Sequence, residues 1–427
     1  MLHPRRASSF WPSDHVSGPA VEMASSTRAV TDQGDRSLAA IKCAAVGRSL
    51  DELLGDHPEP EMAVRVDQLR RAIGLSVQDT DRLEAEGYLD PVYVEGKDFV
   101  VAGKQAERLI TLVQDARKVG SRFPPARPAI DDAPRNAFLA SGAERSRAAE
   151  LLEPFRYSAL HRVWPRLVEL AAPALRLRAV RPARSSRTRL GGVPDLPQGV
   201  AWPQRGESPL SFIAQVDLSR VSQAWPSSPL PATGLLSFFY DATRRPWGFS
   251  PGDRGGWAVY HFDQKLVRPA EPPDDLPEEA RFRPLATELF GELKLPAAES
   301  KEVEDLDLRL KEQTAYWALL GDIEAAQKDD GQPVHRLLGH PDPVQGDMEA
   351  QSQLVTNGMG ADSDGWDRDR ERRLLKEKGV WRMLLQVDSD ERTDMQWGDA
   401  GRIYYWIRQA DFAARRWNES WLHLQCF

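Results

Sequence analysis

Cysteine is almost absent from this 427-residue chain: Cys43 and Cys426 are the only two and stand near opposite ends. Two distant thiols exclude a disulfide framework and a thiolate zinc site, which needs closely spaced sulfur ligands. No apolar run approaches the ~20 residues that a membrane-spanning helix requires. Arg5 and Arg6 are not followed by the ~7–15 apolar residues of a secretory signal. Basic charge is not in excess either: 56 Lys and Arg face 64 Asp and Glu, a net charge of −8, so the whole chain carries no nucleic-acid signature. No G-x-S-x-G nucleophile motif, P-loop or dinucleotide fingerprint occurs. The glycine-rich stretches Gly252–Gly256 and Gly358–Gly360 read as turns, because neither leads from a strand into a helix. Together these absences predict a soluble cytoplasmic protein with no membrane part, no cofactor and no recognisable catalytic motif.

What is there divides into segments. Residues 1–35 read as a disordered leader broken by Pro4, Pro12 and Pro19, and Met23 is a candidate start. Residues 36–119 form a first domain. Val66, Leu69 and Ile73 mark one helix face, closed by Gly74. Ser76 and Asp79 form a capping box for a second helix with Val77, Thr80 and Leu83 on one side, and Gly87 ends it. Val92 and Val94, a turn at 95–98, then Phe99 and Val101 read as a hairpin, and a third helix carries Ala106, Leu109, Ile110 and Val113. This order, with its G-L-S-V turn and E-A-E-G-Y-L step, resembles the winged helix-turn-helix head of MerR-type regulators. That resemblance implies DNA binding through the second helix. The charge argues against it: Asp79, Asp81 and Glu84 stand against Arg82 alone, and residues 64–118 hold nine basic and ten acidic side chains. Phosphate contacts supply most DNA affinity, so the expected role is packing or protein contact.

Residues 120–135, with four prolines, read as a linker. Residues 136–427 form the second domain, led by helical stretches at Phe138–Leu152 and Tyr157–Leu177 with breaks at Pro154 and Pro165. Twelve of the thirteen tryptophans fall after residue 160 and demand a large core. Short strands are expected at 211–216, 235–240, 258–262, 383–387 and 402–407. A single long helix, about Glu302 to Lys328, should bury Val303, Leu306, Leu310, Trp317 and Leu320. Two octamers repeat: FIAQVDLS at 212–219 matches MLLQVDSD at 383–390, and GLLSFFYD at 234–241 matches GRIYYWIR at 401–408. Each pair reads strand, polar loop, Gly, aromatic strand, which points to an internal duplication of a strand-pair unit.

The string RTRLGGVPDLPQGVAWP at 187–203, followed by FIAQVDLS, LPATGLLSFFYD, HRLLGHPDPVQGDM at 335–348, LLQVDSD and MQWGDAGRIYYWI, resembles the YwqG-like family of bacterial proteins of unknown function. The resemblance covers roughly residues 155–427. It implies an α+β fold with an internally duplicated domain and leaves the activity open. The N-terminal 150 residues are an addition to that pattern.

Few side chains carry candidate chemistry. His335 could act as an acid or base given a carboxylate to orient it, with Gln345 and Asp347 close in sequence. Asp388 and Asp390, at i and i+2, would project from one strand face, and Asp399 could fold back on them to hold Mg²⁺ or Ca²⁺. Trp397, in a glycine-flanked turn, could offer an exposed contact surface. Three readings follow. The first is a cytoplasmic binding protein with a protein partner, regulatory or toxin-neutralising. The second is a transcription regulator with a ligand-sensing C-terminal domain, and the third a metal-dependent enzyme using the aspartates.

Overall fold

A computed structural model describes residues 63–89, 91–94, 98–124, 132–140, 144–180, 187–262, 267–327, 332–361 and 367–427. The leader, the first part of the 36–119 domain, the turn residues 95–97 and the centre of the linker lie outside the described residues. All described residues belong to one compact unit, Glu59–Phe427. The fold is α+β, with helices beside antiparallel sheets.

The N-terminal elements are β1 (Ala63–Arg65), α1 (Val66–Ile73), α2 (Val77–Ala85), β2 (Val92–Val94), β3 (Asp98–Ala102) and α3 (Gly103–Lys118). The strands form an antiparallel sheet in the order β1–β3–β2. Gly74 ends α1 in the left-handed conformation, at φ 68°. At the start of α2, the Asp79 amide donates to Ser76 Oγ at 3.0 Å and the Ser76 amide donates to Asp79 Oδ2 at 3.2 Å, the reciprocal cap that the spacing predicts. Leu69, Ile73, Leu83, Leu109 and Val113 are each buried, whereas Val77 is exposed. Steps of three residues drift ~60° per turn around a 3.6-residue helix, so Val77 and Leu83 cannot share one face.

The other flank of α2 is covered. It packs along the helix Leu310–Ala326, where Asp322 accepts from Gln78 Nε2 at 3.4 Å, pairs with Arg82 Nε at 3.4 Å and accepts from Tyr157 Oη at 2.6 Å. Asp79 is held by Arg122 at 2.6 Å.

The large sheet comprises β4 (Ala172–Ala179), β5 (Arg189–Leu190), β6 (Ser211–Asp217), β7 (Leu235–Tyr240), β8 (Trp257–Phe262), β9 (Leu285–Lys294), β10 (His335–Leu337), β11 (Trp381–Asp388), β12 (Arg402–Arg408) and β13 (Trp421–Gln425). Their order is β8–β7–β6–β5–β9–β4–β10–β11–β12–β13, antiparallel throughout. Read from either edge inward, the order runs through four strands to a central pair. Registers match as well. Asp217 pairs with Leu235 and Phe212 with Phe239, skipping Ile213; Asp388 pairs with Arg402 and Met383 with Trp406, skipping Leu384. The two sides meet in the core, where Phe238 contacts Tyr405 edge-on at 5.1 Å and Trp257 contacts Trp421 at 4.8 Å.

Three expectations about elements are corrected. Residues 172–177 are strand, not helix: Pro173 and the alternation of buried Leu175 and Leu177 with Arg176 and Arg178 suit a period of two. The long helix is two, α7 (Lys301–Glu304) and α8 (Leu310–Ala326), parted where Asp307 takes φ 46°. Leu310 and Trp317 are consequently exposed rather than buried. Helix α4 (Asp132–Ala140) begins inside the expected linker, ahead of α5 (Glu144–Leu152) and α6 (Trp164–Leu170). It is seated on β9, where the Gly291 amide donates to Asn136 Oδ1 at 2.6 Å. A Cβ on Gly291 would lie 2.5 Å from the Arg135 carbonyl oxygen, so only glycine allows this approach.

Candidate functional site

The site is built on strands β5 and β10 and the turns that leave them. T-R-L-G-G-V-P-D at 188–195 and H-R-L-L-G-H-P-D at 335–342 share R-L-x-G-x-P-D, and the two segments make parallel sets of bonds. Gln215 Oε1 accepts the Asp195 amide at 2.8 Å, while its Nε2 donates to Asp195 Oδ2 and to the Arg187 carbonyl, each at 3.0 Å. Gln386 Oε1 accepts the Asp342 amide at 2.9 Å, while its Nε2 donates to Asp342 Oδ2 at 3.3 Å and to the Val334 carbonyl at 3.1 Å. Thr188 Oγ1 accepts the Asp217 amide at 3.1 Å, and His335 Nδ1 accepts the Asp388 amide at 3.2 Å.

His335 thus has a defined tautomer. With Nδ1 accepting, Nε2 carries the proton and donates to Asp390 Oδ2 at 3.1 Å. The ring is buried, and burial pulls its pKa below the usual histidine value despite the carboxylate. Burial works against ionisation of Asp390 as well, but the hydrogen bonds from His335 and Arg392 outweigh it and hold that carboxyl below the ordinary range. The carboxylate beside His335 is therefore Asp390, not Asp347. Asp347 instead caps α9 (Met348–Val355), accepting the Glu349 amide at 2.9 Å and the Ala350 amide at 3.0 Å, and pairs with Lys378 at 2.6 Å. Gln345 is exposed, and its backbone is gripped by Gln425.

The three aspartates go separate ways. Strand β11 stops at Asp388, so Asp390 no longer shares its pleat and instead bridges to Met395. Asp388 accepts the Val334 amide at 2.9 Å and pairs with Arg402 at 3.2 Å. Asp399 is exposed. Among the described residues, no group of three or more His, Cys, Asp or Glu side chains could hold a metal ion. Trp397 is buried at 1% exposure, with its ring N–H donating to the Asp388 carbonyl at 3.2 Å. It is a core residue, not an exposed contact, because Tyr240 and Phe282 both pack edge-on against it.

The turn at Asp342 and the end of β11 border a cleft of about 530 Å³ between β9, β4, β10 and the start of β12. Arg336 lies on its floor, 1% exposed. Its Nε donates to Glu292 Oε2 at 2.7 Å, its Nη2 to Glu292 Oε1 at 3.2 Å and its Nη1 to Asp342 Oδ2 at 2.6 Å. Lys294 pairs with Asp342 at 2.8 Å and Arg176 with Glu292 at 3.6 Å. Burial disfavours charge on Glu292 and Asp342, yet Arg336 outweighs it and keeps both carboxyls ionised below their ordinary range. None of these cleft residues except Asp388 is foreseen from the sequence. The twice-occurring R-L-x-G-x-P-D string was the available signal for Arg336 and Asp342. Glu292, Lys294 and Arg176 carry no motif and are brought there by the pairing of β9 with β4.

The arrangement offers charged hydrogen-bonding groups, and both ring nitrogens of His335 are engaged. No helix among the described residues is long and apolar enough to cross a membrane. No curated protein matches this sequence. The family model described as "Domain of unknown function (DUF1963)" matches residues 188–426, and by that match over more than half its length the chain belongs to this family.

Proposed function

We propose that this protein is a cytoplasmic binding protein rather than an enzyme, and that its C-terminal domain engages a protein partner in a regulatory or toxin-neutralising role. The observation that supports it is the cleft on Arg336, Lys294, Asp342 and Arg402. It presents charges of both signs, ordered by ion pairs, beside a histidine with no free ring nitrogen. Such a surface favours a partner segment carrying both acidic and basic side chains, by electrostatic complementarity. The test is capture of host proteins by the full chain, compared with Lys294→Gln and Arg402→Gln. Loss of a specific captured protein in both variants, with circular dichroism unchanged, is expected; identical capture by all three overturns the cleft as the partner surface. A metal-dependent reaction predicts a higher thermal midpoint in Mg²⁺ or Ca²⁺ than in EDTA, since a cation bound only to the native state stabilises it. An unchanged midpoint is expected, because Asp388 and Asp390 already have cationic partners.

We also read the domain as YwqG-like and internally duplicated, with residues 136–427 as that domain and residues 36–119 as a winged-helix-like module before a linker at 120–135. The matched strand registers, the skipped residues Ile213 and Leu384, and the paired roles of Gln215 and Gln386 support the duplication. The cover over α2 supports a packing role for the module: a helix held by Asp322 is not presented to a major groove.

A further inference from the structure

A second cavity, of about 290 Å³, lies at the other end of the strands from Asp388 and Arg402, near the start of β4 and β11 and the end of β12. Its apolar walls include Trp225, Trp381 and Trp406, each at least 95% buried. Trp381 is fixed by its ring N–H donating to Gln353 Oε1 at 3.0 Å and by the Arg408 guanidinium, 4.9 Å from the ring centre. Trp225 donates to Ser227 Oγ at 3.1 Å. The Trp406 ring N–H is buried with no protein acceptor.

The polar atoms at this cavity are mostly acceptors. Glu349 is 7% exposed, and its Oε2 has no hydrogen-bond partner in the protein; Glu302 Oε2 is in the same position. His340 gives its Nε2 proton to the Leu170 carbonyl at 2.9 Å, which leaves Nδ1 as an acceptor. Buried acceptors without donors are costly, and a ligand that supplies several N–H groups relieves that cost. Indole faces attract cations through the ring quadrupole.

We propose that this cavity binds a small organic amine in its ammonium form, with the charge between Glu302 and Glu349, an apolar body against the three indoles and one acceptor atom for Trp406. The site is independent of the charged cleft. Burial, then the charges of Glu302 and Asp347, push the Glu349 pKa up to about 9. Lys378 acts the other way but is held by Asp347 and Glu304, while Arg382, which lines the cavity, stacks on Phe412. A bound cation favours the ionised carboxylate, so binding near neutral pH releases a proton from Glu349.

The test is calorimetric titration of the full chain with 2-(4-methoxyphenyl)ethylammonium, whose ether oxygen is the acceptor for Trp406, and, as the anionic counterpart, 3-(4-methoxyphenyl)propionate, in two buffers of different ionisation enthalpy. The expected result is saturable amine binding with a buffer-dependent heat of proton release, and no binding of the anion. Glu349→Gln is expected to weaken amine binding about tenfold, the scale of one charge-assisted hydrogen bond, and to remove the buffer dependence. Glu302→Gln serves as the second variant if the first does not fold. Absence of amine binding below ~10 mM, equal binding of the anion, or wild-type affinity in the folded variants would overturn the proposal.

Discussion

Arg336 illustrates what a single buried charge demands of its surroundings. Its guanidinium is out of water, and burial alone would disfavour the charge, but Asp342 and Glu292 more than offset that and raise its pKa. Replacing Arg336 by Met should cost about 3–5 kcal/mol, because Glu292 is then left buried beside a weak Arg176 contact. The double variant Arg336→Met with Glu292→Met should recover much of the loss, and urea midpoints of the set measure both. His423 makes a second residue-scale prediction. It is fully buried, its Nε2 lies 2.8 Å from Ser352 Oγ, its Nδ1 has no partner, and burial pushes its pKa down to about 3. An unfolded histidine titrates near 6.5, so between those values the unfolded state binds one more proton than the folded one. Stability is therefore full above pH ~6.5 and falls on acidification by about 1.4 kcal/mol per pH unit from this group. Denaturation at pH 7 and pH 5 should show His423→Gln losing about 2 kcal/mol less than wild type over that span.

At the scale of elements, one carboxylate ties three segments. Asp322 on α8 holds Gln78 and Arg82 of α2 and the hydroxyl of Tyr157. Gly321 next to it leaves room for α2: a Cβ there would lie 3.1 Å from Gln78 Nε2. Gly321→Leu should push α2 away from α8. Limited proteolysis is expected to cut within residues 63–124 sooner, while near-ultraviolet dichroism of the tryptophan-rich domain stays as in wild type. Unchanged proteolysis would mean that α2 is held by its own module rather than by α8. The turn after β5 shows a different constraint. Gly191 and Leu338 occupy matching places with the same φ of 58°, yet a Cβ on Gly191 would meet the Arg283 carbonyl oxygen at 2.3 Å. Leucine is tolerated in the second turn because no backbone crosses there so closely.

For the molecule as a whole, charge and cover act together. The net charge of −8 repels a polyanion, and the helix that a DNA-binding reading would place in the groove is packed on α8. A gel shift of the full chain at physiological salt should show no duplex binding tighter than ~10 μM, the level of weak non-specific association. Nanomolar retention of a natural promoter would require α2 to leave α8, and would favour the regulator reading.

Local rules carried far in this chain. Strands β6, β7, β8, β11 and β12, helices α1 and α3, the Ser76 cap and the Gly74 stop could all be read from alternation, helical spacing and turn chemistry, because each depends on neighbours within a few residues. Membership of a family of unknown function was legible from motifs in order, and His335 and Asp390 could be named as polar candidates. Their partnership could not, since 55 residues separate them and only the pairing of β10 with β11 joins them. Strand β9, the start of α4 on Gly291 and the burial of Trp397 likewise depend on what packs against them. The charged cleft and the tryptophan-lined cavity lie further still from the sequence. Their lining residues run from Arg176 to Arg402 in one and from Ala172 to Gln409 in the other, and only the pairing of the ten-stranded sheet brings them together.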